Sequence, residues 1–210
     1  MKSVVGGQTL FYPLYWVYML GSEKITRAFK KVDRKDFVRP SFAPYAYEDI
    51  PLSIGYGQTI SQPSTVVFMF ELLVLKSGLK VLDVGFGSGW TTALLAQIVG
   101  AKGEVVGVEI VPELVDFGRK NISKYCEGLN VSVFLAKEEL GYPLKAPYDR
   151  ILVSASGNEI PVELIKQLKV GGIMVIPVLN SIWKVVRKSA NVNDVFKEEY
   201  PGFVFVPLKK

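Results

Sequence analysis

One pattern limits what this chain can fold into more than any other. From Lys80 to Val178, short apolar runs of strand length trade places with amphipathic runs of helix length. Lys80–Val84 reads as a strand that ends in glycines. Thr91–Val99 reads as a helix stopped by Gly100, and Glu104–Glu109 as a second strand. Pro112 opens another helix, with Leu114, Val115, Phe117 and Ile122 on its apolar side. Val131–Leu135 and Tyr148–Ser154 are strands. Pro161–Leu168 is a helix that stops near Gly171-Gly172, and Ile173–Val178 is a further strand. Strands separated by helices of this length imply right-handed crossovers and a mainly parallel sheet. The expected class is therefore α/β, a doubly wound, Rossmann-like fold.

The flanks read differently. Ser22 suits a helix N-cap, and Ile25, Ala28, Phe29 and Val32 follow at helical spacing. Residues 36–62 are punctuated by Pro40, Pro44, Pro51, Gly55 and Gly57 and read as irregular. Ser61 and then Pro63 open a helix through Val67, Phe70, Leu73 and Val74 that stops at Gly78. The stretch from Ile182 to Leu208 reads as added, antiparallel strands. With 210 residues, one domain over 1–210 is expected: an N-terminal helical and loop segment (1–62), a core (63–180) and C-terminal strands (181–210).

Composition removes several kinds of chemistry. The chain has no histidine and one cysteine, Cys126. Hydrolase triads built on an imidazole base are excluded, and Cys/His zinc sites are not expected. One cysteine forms no internal disulfide, so an oxidising compartment is not called for, and a cytoplasmic location is expected. The formal charge is +5, but the basic residues are spread out apart from Arg27–Lys35 and Lys209-Lys210. They read as a solvated face and not as a nucleic-acid surface. The apolar run Leu10–Leu20 is too short to span a membrane and lacks the flanks of a signal peptide, so it reads as a packed aromatic segment.

The chemistry concentrates where the first strand of the alternating block meets Gly85-Phe86-Gly87-Ser88-Gly89-Trp90. Glycines at alternate positions allow a sharp turn and close approach of a ligand, and the following helix points free N–H groups at it. Glu109 ends the next strand, about 20 residues on, where an acid reaches ribose hydroxyls. Dinucleotide sites prefer a third glycine one place later. Here Trp90 follows Gly89, and Asp83 sits inside the strand, which suits a cationic ligand such as S-adenosylmethionine better than a pyrophosphate. A dehydrogenase is thus the weaker reading, and a glycine turn with no ligand the bland one.

Asp33–Val38, Ala46-Tyr47-Glu48-Asp49 and the run Pro51-Leu52-Ser53-Ile54-Gly55-Tyr56-Gly57-Gln58-Thr59-Ile60-Ser61-Gln62-Pro63 carry a more specific signal. With Lys80–Gly89, Gly141-Tyr142-Pro143, Ala146–Ile151, Glu159-Ile160-Pro161, Gln167-Leu168-Lys169 and Phe205-Val206-Pro207-Leu208, the chain resembles the protein-L-isoaspartate O-methyltransferase family over about residues 22–208. The resemblance implies a class I S-adenosylmethionine-dependent methyltransferase fold. It also implies protein repair, in which a methyl group passes from S-adenosylmethionine to the α-carboxylate of an isoaspartyl residue in a damaged protein or peptide. Such a carboxylate, of pKa about 4, is ionised at neutral pH and needs no general base, which suits a chain without histidine.

The resemblance further implies site roles. Ser61 matches the active-site serine and would orient the acceptor carboxylate; read without the family it is a helix N-cap. Thr59 and Ile60 would line the cofactor crevice, with Asp83, Gly85, Phe86, Gly87 and Ser88 around the methionine part. Glu109 and Ile110 would meet the ribose and adenine, and Val206, Pro207 and Leu208 the substrate backbone. Ser64, Ala136 and Lys137 complete the expected cofactor set, and no metal is expected. Several positions depart from the family. Ser64 stands where a histidine is usual, and Ala136-Lys137-Glu138 where a G-D-G segment binds adenine. Ser154-Ala155-Ser156-Gly157-Asn158 replaces an alanine-rich run, and Trp90 a tyrosine. A different acceptor, or a weakened non-catalytic homologue, are the alternatives.

Overall fold

The structure, a computed structural model, describes residues 21–209 together with the backbone of a short antiparallel hairpin, β1 (Ser3–Val5) and β2 (Gln8–Leu10). The expected packing of the aromatic segment Leu10–Leu20 falls outside the described residues. A second small hairpin pairs β3 (Leu52–Gly55) with β4 (Gln58–Ile60). The main sheet holds β5 (Lys80–Val84), β6 (Glu104–Glu109), β7 (Val131–Leu135), β8 (Tyr148–Val153), β9 (Leu168–Val178), β10 (Ser181–Arg187) and β11 (Val195–Pro201). Their order across the sheet is β11-β10-β9-β8-β5-β6-β7. The five strands from β9 to β7 are parallel; β10 and β11 add antiparallel at one edge.

The apolar alternation within strands builds two faces. Val81 of β5 and Ile173 and Val175 of β9 join one buried cluster, and Leu82, Val84, Met174 and Ile176 join the other. Helices α1 (Glu23–Lys31), α2 (Pro63–Leu73), α3 (Trp90–Val99) and α4 (Pro112–Ser123) contribute to the first cluster. Among the described residues, the six-residue α5 (Val162–Gln167) and the 140–146 loop, with Ile160, Val192 and Leu208, pack on the second. Ile25, Ala28, Phe29 and Val32 are all buried, as their spacing requires.

Two boundaries and one cap differ from the sequence reading, each for a local reason. Helix α2 ends at Leu73 because Val74 turns left-handed, at φ +51°, and stands exposed. Strand β9 begins at Leu168, so Gly171-Gly172 lies within a strand and does not mark a helix stop. Tyr148 pairs with Leu168 but Arg150 with Ile173, a bulge that Gly171 accommodates at φ +79°. Ser22 occupies the N-cap position of α1, yet its hydroxyl makes no cap bond; its N–H donates to Glu71 Oε1 at 2.5 Å.

The order of the parallel strands locates the crevice. From β5 the chain winds outward to β6 and β7, then returns to place β8 on the other side of β5. Connections therefore diverge at the carboxyl ends of β5 and β8, where open α/β sheets bind ligands. Gly118 of α4 packs beneath the turn that follows β5. A Cβ there would lie 2.6 Å from Phe86 Cε2 and 2.9 Å from the Gly87 carbonyl oxygen. Gly118→Ala gains about 1 kcal/mol of helix propensity but overpacks at a cost of about 1–3 kcal/mol. Scanning calorimetry should show a melting temperature lower by a few degrees; an unchanged or higher value contradicts this packing.

Candidate active site at the carboxyl edge of the sheet

The turn after β5 is held by backbone and by one carboxylate. Gly85, Gly87 and Gly89 all adopt positive φ, at +77°, +54° and +90°. The N–H groups of Gly85 and Phe86 donate to the Val108 carbonyl, at 2.8 and 3.3 Å, so the turn folds over the end of β6. Glu109 is buried there. Its Oε2 accepts from Gly87 N at 2.9 Å, and its Oε1 from Ile110 N at 2.8 Å and Val111 N at 3.0 Å. A carboxylate has about four lone-pair sites, so roughly one remains for a ligand hydroxyl, on Oε2. That narrows the expectation that Glu109 meets both hydroxyls of a ribose.

Asp83 is wholly buried beneath the same turn. Its Oδ2 accepts from Thr91 Oγ1 and Thr92 Oγ1, both at 2.7 Å, whereas Oδ1 has no partner. Burial, with a smaller contribution from the charge of Glu109, pushes its carboxyl up to about 6 against the pull of the two hydroxyls. A buried acceptor with no donor invites one from a ligand. Gly85 leaves open space where a side chain would otherwise stand. These features fit a compact cationic group placed over the turn, as in the methionine part of S-adenosylmethionine.

Two clefts meet over this turn. A donor-side cleft of about 730 Å³ runs between the β5 and β6 ends and the 136–141 loop. Thr59, Gly85, Gly87, Glu109, Ile110, Ala136, Lys137, Pro207 and Leu208 are among its walls. An acceptor-side cleft of about 1010 Å³ lies between α2 and the 202–206 segment, lined by Pro51, Thr59, Ser61, Gln62, Thr65, Ser154 and Val206 among others. A small space joins them, walled by Thr59, Ile60, Ser61, the Gly85–Ser88 turn, Trp90, Thr91 and Ser154. Among the described residues, no charged side chain lines the acceptor cleft.

Most of the expected site residues thus converge. Thr59 lines all three spaces, Ser61 the acceptor cleft and the junction, and Val206 both large clefts. Asp83 supports the turn from below and does not line a wall. Ser64 is not brought in: its N–H donates to Asp49 Oδ1 at 2.8 Å, and its hydroxyl accepts from Gln62 Nε2 at 3.0 Å. The start of α2 is therefore capped by Asp49, with Gln62 at the N-cap position, so Ser61 is not the cap. Ser154, singled out in the sequence as a departure from the family's alanine-rich run but given no role there, lines all three spaces. Its position at the end of β8, beside the strand carrying the glycines, was the available signal. Glu138 and Glu139 also line the donor cleft, next to Ala136 and Lys137. Among the described residues, no His/Cys/Asp/Glu cluster could hold a metal ion, and no helix is long and apolar enough to cross a membrane.

A Rossmann-like parallel sheet with an acid-anchored glycine turn and a second cleft opening onto it defines a class I S-adenosylmethionine-dependent methyltransferase fold. Comparisons narrow this further. Residues 8–210 match the family described as protein-L-isoaspartate(D-aspartate) O-methyltransferase. A protein-L-isoaspartate O-methyltransferase from Methanothrix thermoacetophila is 46% identical over 187 residues, 89% of this chain and 88% of the relative. One of two such enzymes from Archaeoglobus fulgidus is 46% identical over 189 residues, 89% of this chain and 86% of the relative. A solved protein-L-isoaspartate O-methyltransferase superposes with a TM-score of 0.83 at 27% identity, over 94% of this chain and 66% of that one. A Plasmodium falciparum protein described as the same enzyme, in complex with S-adenosyl-L-homocysteine, gives 0.81 at 25% identity, over 93% and 94%. The chain belongs to the protein-L-isoaspartate O-methyltransferase family.

The raised carboxyl of Asp83 gives a pH test. A cationic ligand favours its ionised form, so binding below pH about 6 must first expel a proton. Affinity for S-adenosylhomocysteine should hold from pH 8 to about 6.5 and then weaken, approaching about tenfold per unit below pH 6. Asp83→Asn should bind more weakly at pH 8 and lose this dependence. Calorimetry across the range decides it; a flat wild-type profile contradicts the assignment.

Proposed function

We propose that this chain transfers a methyl group from S-adenosylmethionine to the α-carboxylate of L-isoaspartyl residues in damaged proteins. The observation that carries the reading is the position of Ser61, in the wall shared by the acceptor cleft and the junction with the glycine turn. Family membership supports the same reaction. Residues 1–210 act in it as one methyltransferase domain, in a cytoplasmic setting.

The chain's own groups account for the rest. Gly85, Phe86, Gly87 and Ser88 form the floor for the donor, Asp83 beneath that floor contributes a negative charge that favours a cation above it, and Glu109 offers its remaining lone pair to a ribose hydroxyl. Ile110 flanks the base, with Ala136, Lys137 and the neighbouring Glu138 and Glu139 forming the outer wall. Ser64 stays outside and serves the turn before α2. The donor supplies an activated methyl on a sulfonium, so the acceptor needs only to be ionised and aligned. Ser61, with the hydroxyls of Thr59 and Ser154, orients the carboxylate by donating hydrogen bonds. The acceptor cleft holds no cation among its described lining, so the carboxylate keeps its nucleophilicity and is not tied up in an ion pair. Val206, Pro207 and Leu208 hold the substrate backbone and cover the junction. Ser156 ties them down: its N–H donates to the Val206 carbonyl and its carbonyl accepts from Leu208 N, both at 2.8 Å. Covering the junction removes water that would otherwise solvate the carboxylate.

Transfer of labelled methyl to an isoaspartyl peptide, set against the same peptide with normal Asp, tests the reaction. Methylation confined to the isoaspartyl peptide is expected, and folded protein inactive on it refutes the reading. Ser61→Ala should lower kcat by about 10- to 100-fold, because it removes an orienting bond used at the transition state. Its affinity for S-adenosylhomocysteine should stay within a few-fold of the wild type. A parallel loss of both would assign Ser61 to the scaffold.

A further inference from the structure

Arg34 is almost wholly buried, at 1% exposure, and the charge of Asp49 favours its charged form there. Its Nη1 donates to the carbonyls of Ala46 at 2.8 Å and Glu48 at 3.3 Å. Its Nη2 donates to those of Ile50 at 2.9 Å and Ser61 at 3.0 Å. One planar fork thus gathers four points of the irregular segment, the last being the backbone of the acceptor serine. The guanidinium carbon also lies 5.1 Å from the centre of the Trp90 ring. Trp90 opens α3 directly after the glycine turn and walls the junction beside Ser61; Phe29 of α1 meets its ring edge-on, with centroids 5.2 Å apart.

A buried cation is a poor device for packing alone, since an apolar side chain of similar volume fills space without the desolvation cost. Burial lowers the Arg34 pKa to about 10, which still leaves the group charged at neutral pH. What a guanidinium adds is geometry: a rigid set of donors in one plane, with a face that stacks on an aromatic ring. Here the fork holds the backbone of the acceptor serine, and the guanidinium carbon lies over the ring of the residue that follows the donor turn.

We infer that Arg34 is a positioning residue for methyl transfer, fixing the backbone of Ser61 against Trp90 and so setting the acceptor serine relative to the glycine turn. This rests on the carboxyl-methyltransferase reading above. Arg34 touches neither donor nor acceptor; it acts through Ser61.

The test is a double-mutant cycle, with turnover measured at saturating cofactor. Arg34→Lys keeps the charge but loses the fork and the stacking face. It should lower kcat on an isoaspartyl peptide by about 100-fold, the scale of an ångström-sized misplacement. Its affinity for S-adenosylhomocysteine should change by less than about threefold. In a Ser61→Ala background the same substitution should cost less than about threefold, because the group it positions is already gone. If circular dichroism shows that Arg34→Lys does not fold, Trp90→Leu carries the same cycle. It leaves the four carbonyl bonds in place and removes the ring beneath them, for an expected loss of about tenfold that shrinks when Ser61 is alanine. Losses of equal size in both backgrounds overturn the inference. A wild-type protein that leaves isoaspartyl peptides unmethylated refutes the reaction itself, whereas an active wild type with additive losses refutes only the role of Arg34.

Discussion

The Glu109 carboxylate is the contact on which the site depends. It ends β6, takes the N–H of Gly87 from the turn after β5, and takes the N–H groups of Ile110 and Val111 from its own continuation. One buried charge thus ties the ends of two adjacent parallel strands into a single rim. Hydrogen bonds to a charged acceptor are stronger than neutral ones, and three of them offset the cost of burying the carboxylate. With the rim fixed, the Gly85–Ser88 turn has a defined shape, Asp83 sits beneath it with one free oxygen, and α3 begins in register with Trp90 against Ser61's supporting arginine. Loss of that tie would loosen the floor of the donor cleft and the wall it shares with the acceptor cleft.

The strands and helices of the core were legible because they are short, strongly patterned and punctuated by glycine and proline. Lys80–Val84, Glu104–Glu109 and Val131–Leu135 appear with their expected limits. Where reading and structure part, a local pattern admits two outcomes that only tertiary pairing decides. Gly171-Gly172 reads as a helix stop, but the pairing of Leu168 with Tyr148 makes it a strand bulge. Ser61 before Pro63 looks like a cap, but Asp49, distant in sequence, takes the N–H that a cap would take. That released Ser61 to face the junction.

The site was legible in part for a related reason. Motifs mark residues that act through a fixed local shape, such as the glycine turn and the acid at the end of the next strand. They mark Ser154 only as a departure from the alanine-rich run, and its reach into both clefts follows from β8 returning to the side of β5. The run Asp33–Val38 includes Arg34 but not its role, because its partners at positions 46, 48, 50 and 61 share no periodicity. Ser64 shows the converse. A position carried over by resemblance need not carry its function when the side chain is shorter and a neighbour, here Asp49 with Gln62, claims it.

The proposed reaction requires donor and acceptor to meet at Ser61, which lines both the acceptor cleft and the junction. A crystal structure with both S-adenosylhomocysteine and an isoaspartyl peptide bound measures that directly. The peptide's α-carboxylate should lie within hydrogen-bond distance of Ser61 Oγ, in the space between Thr59 and Ser154, with the cofactor sulfur across the junction. A peptide seated away from that space, or a carboxylate held by a lysine or arginine instead of by these hydroxyls, would contradict it.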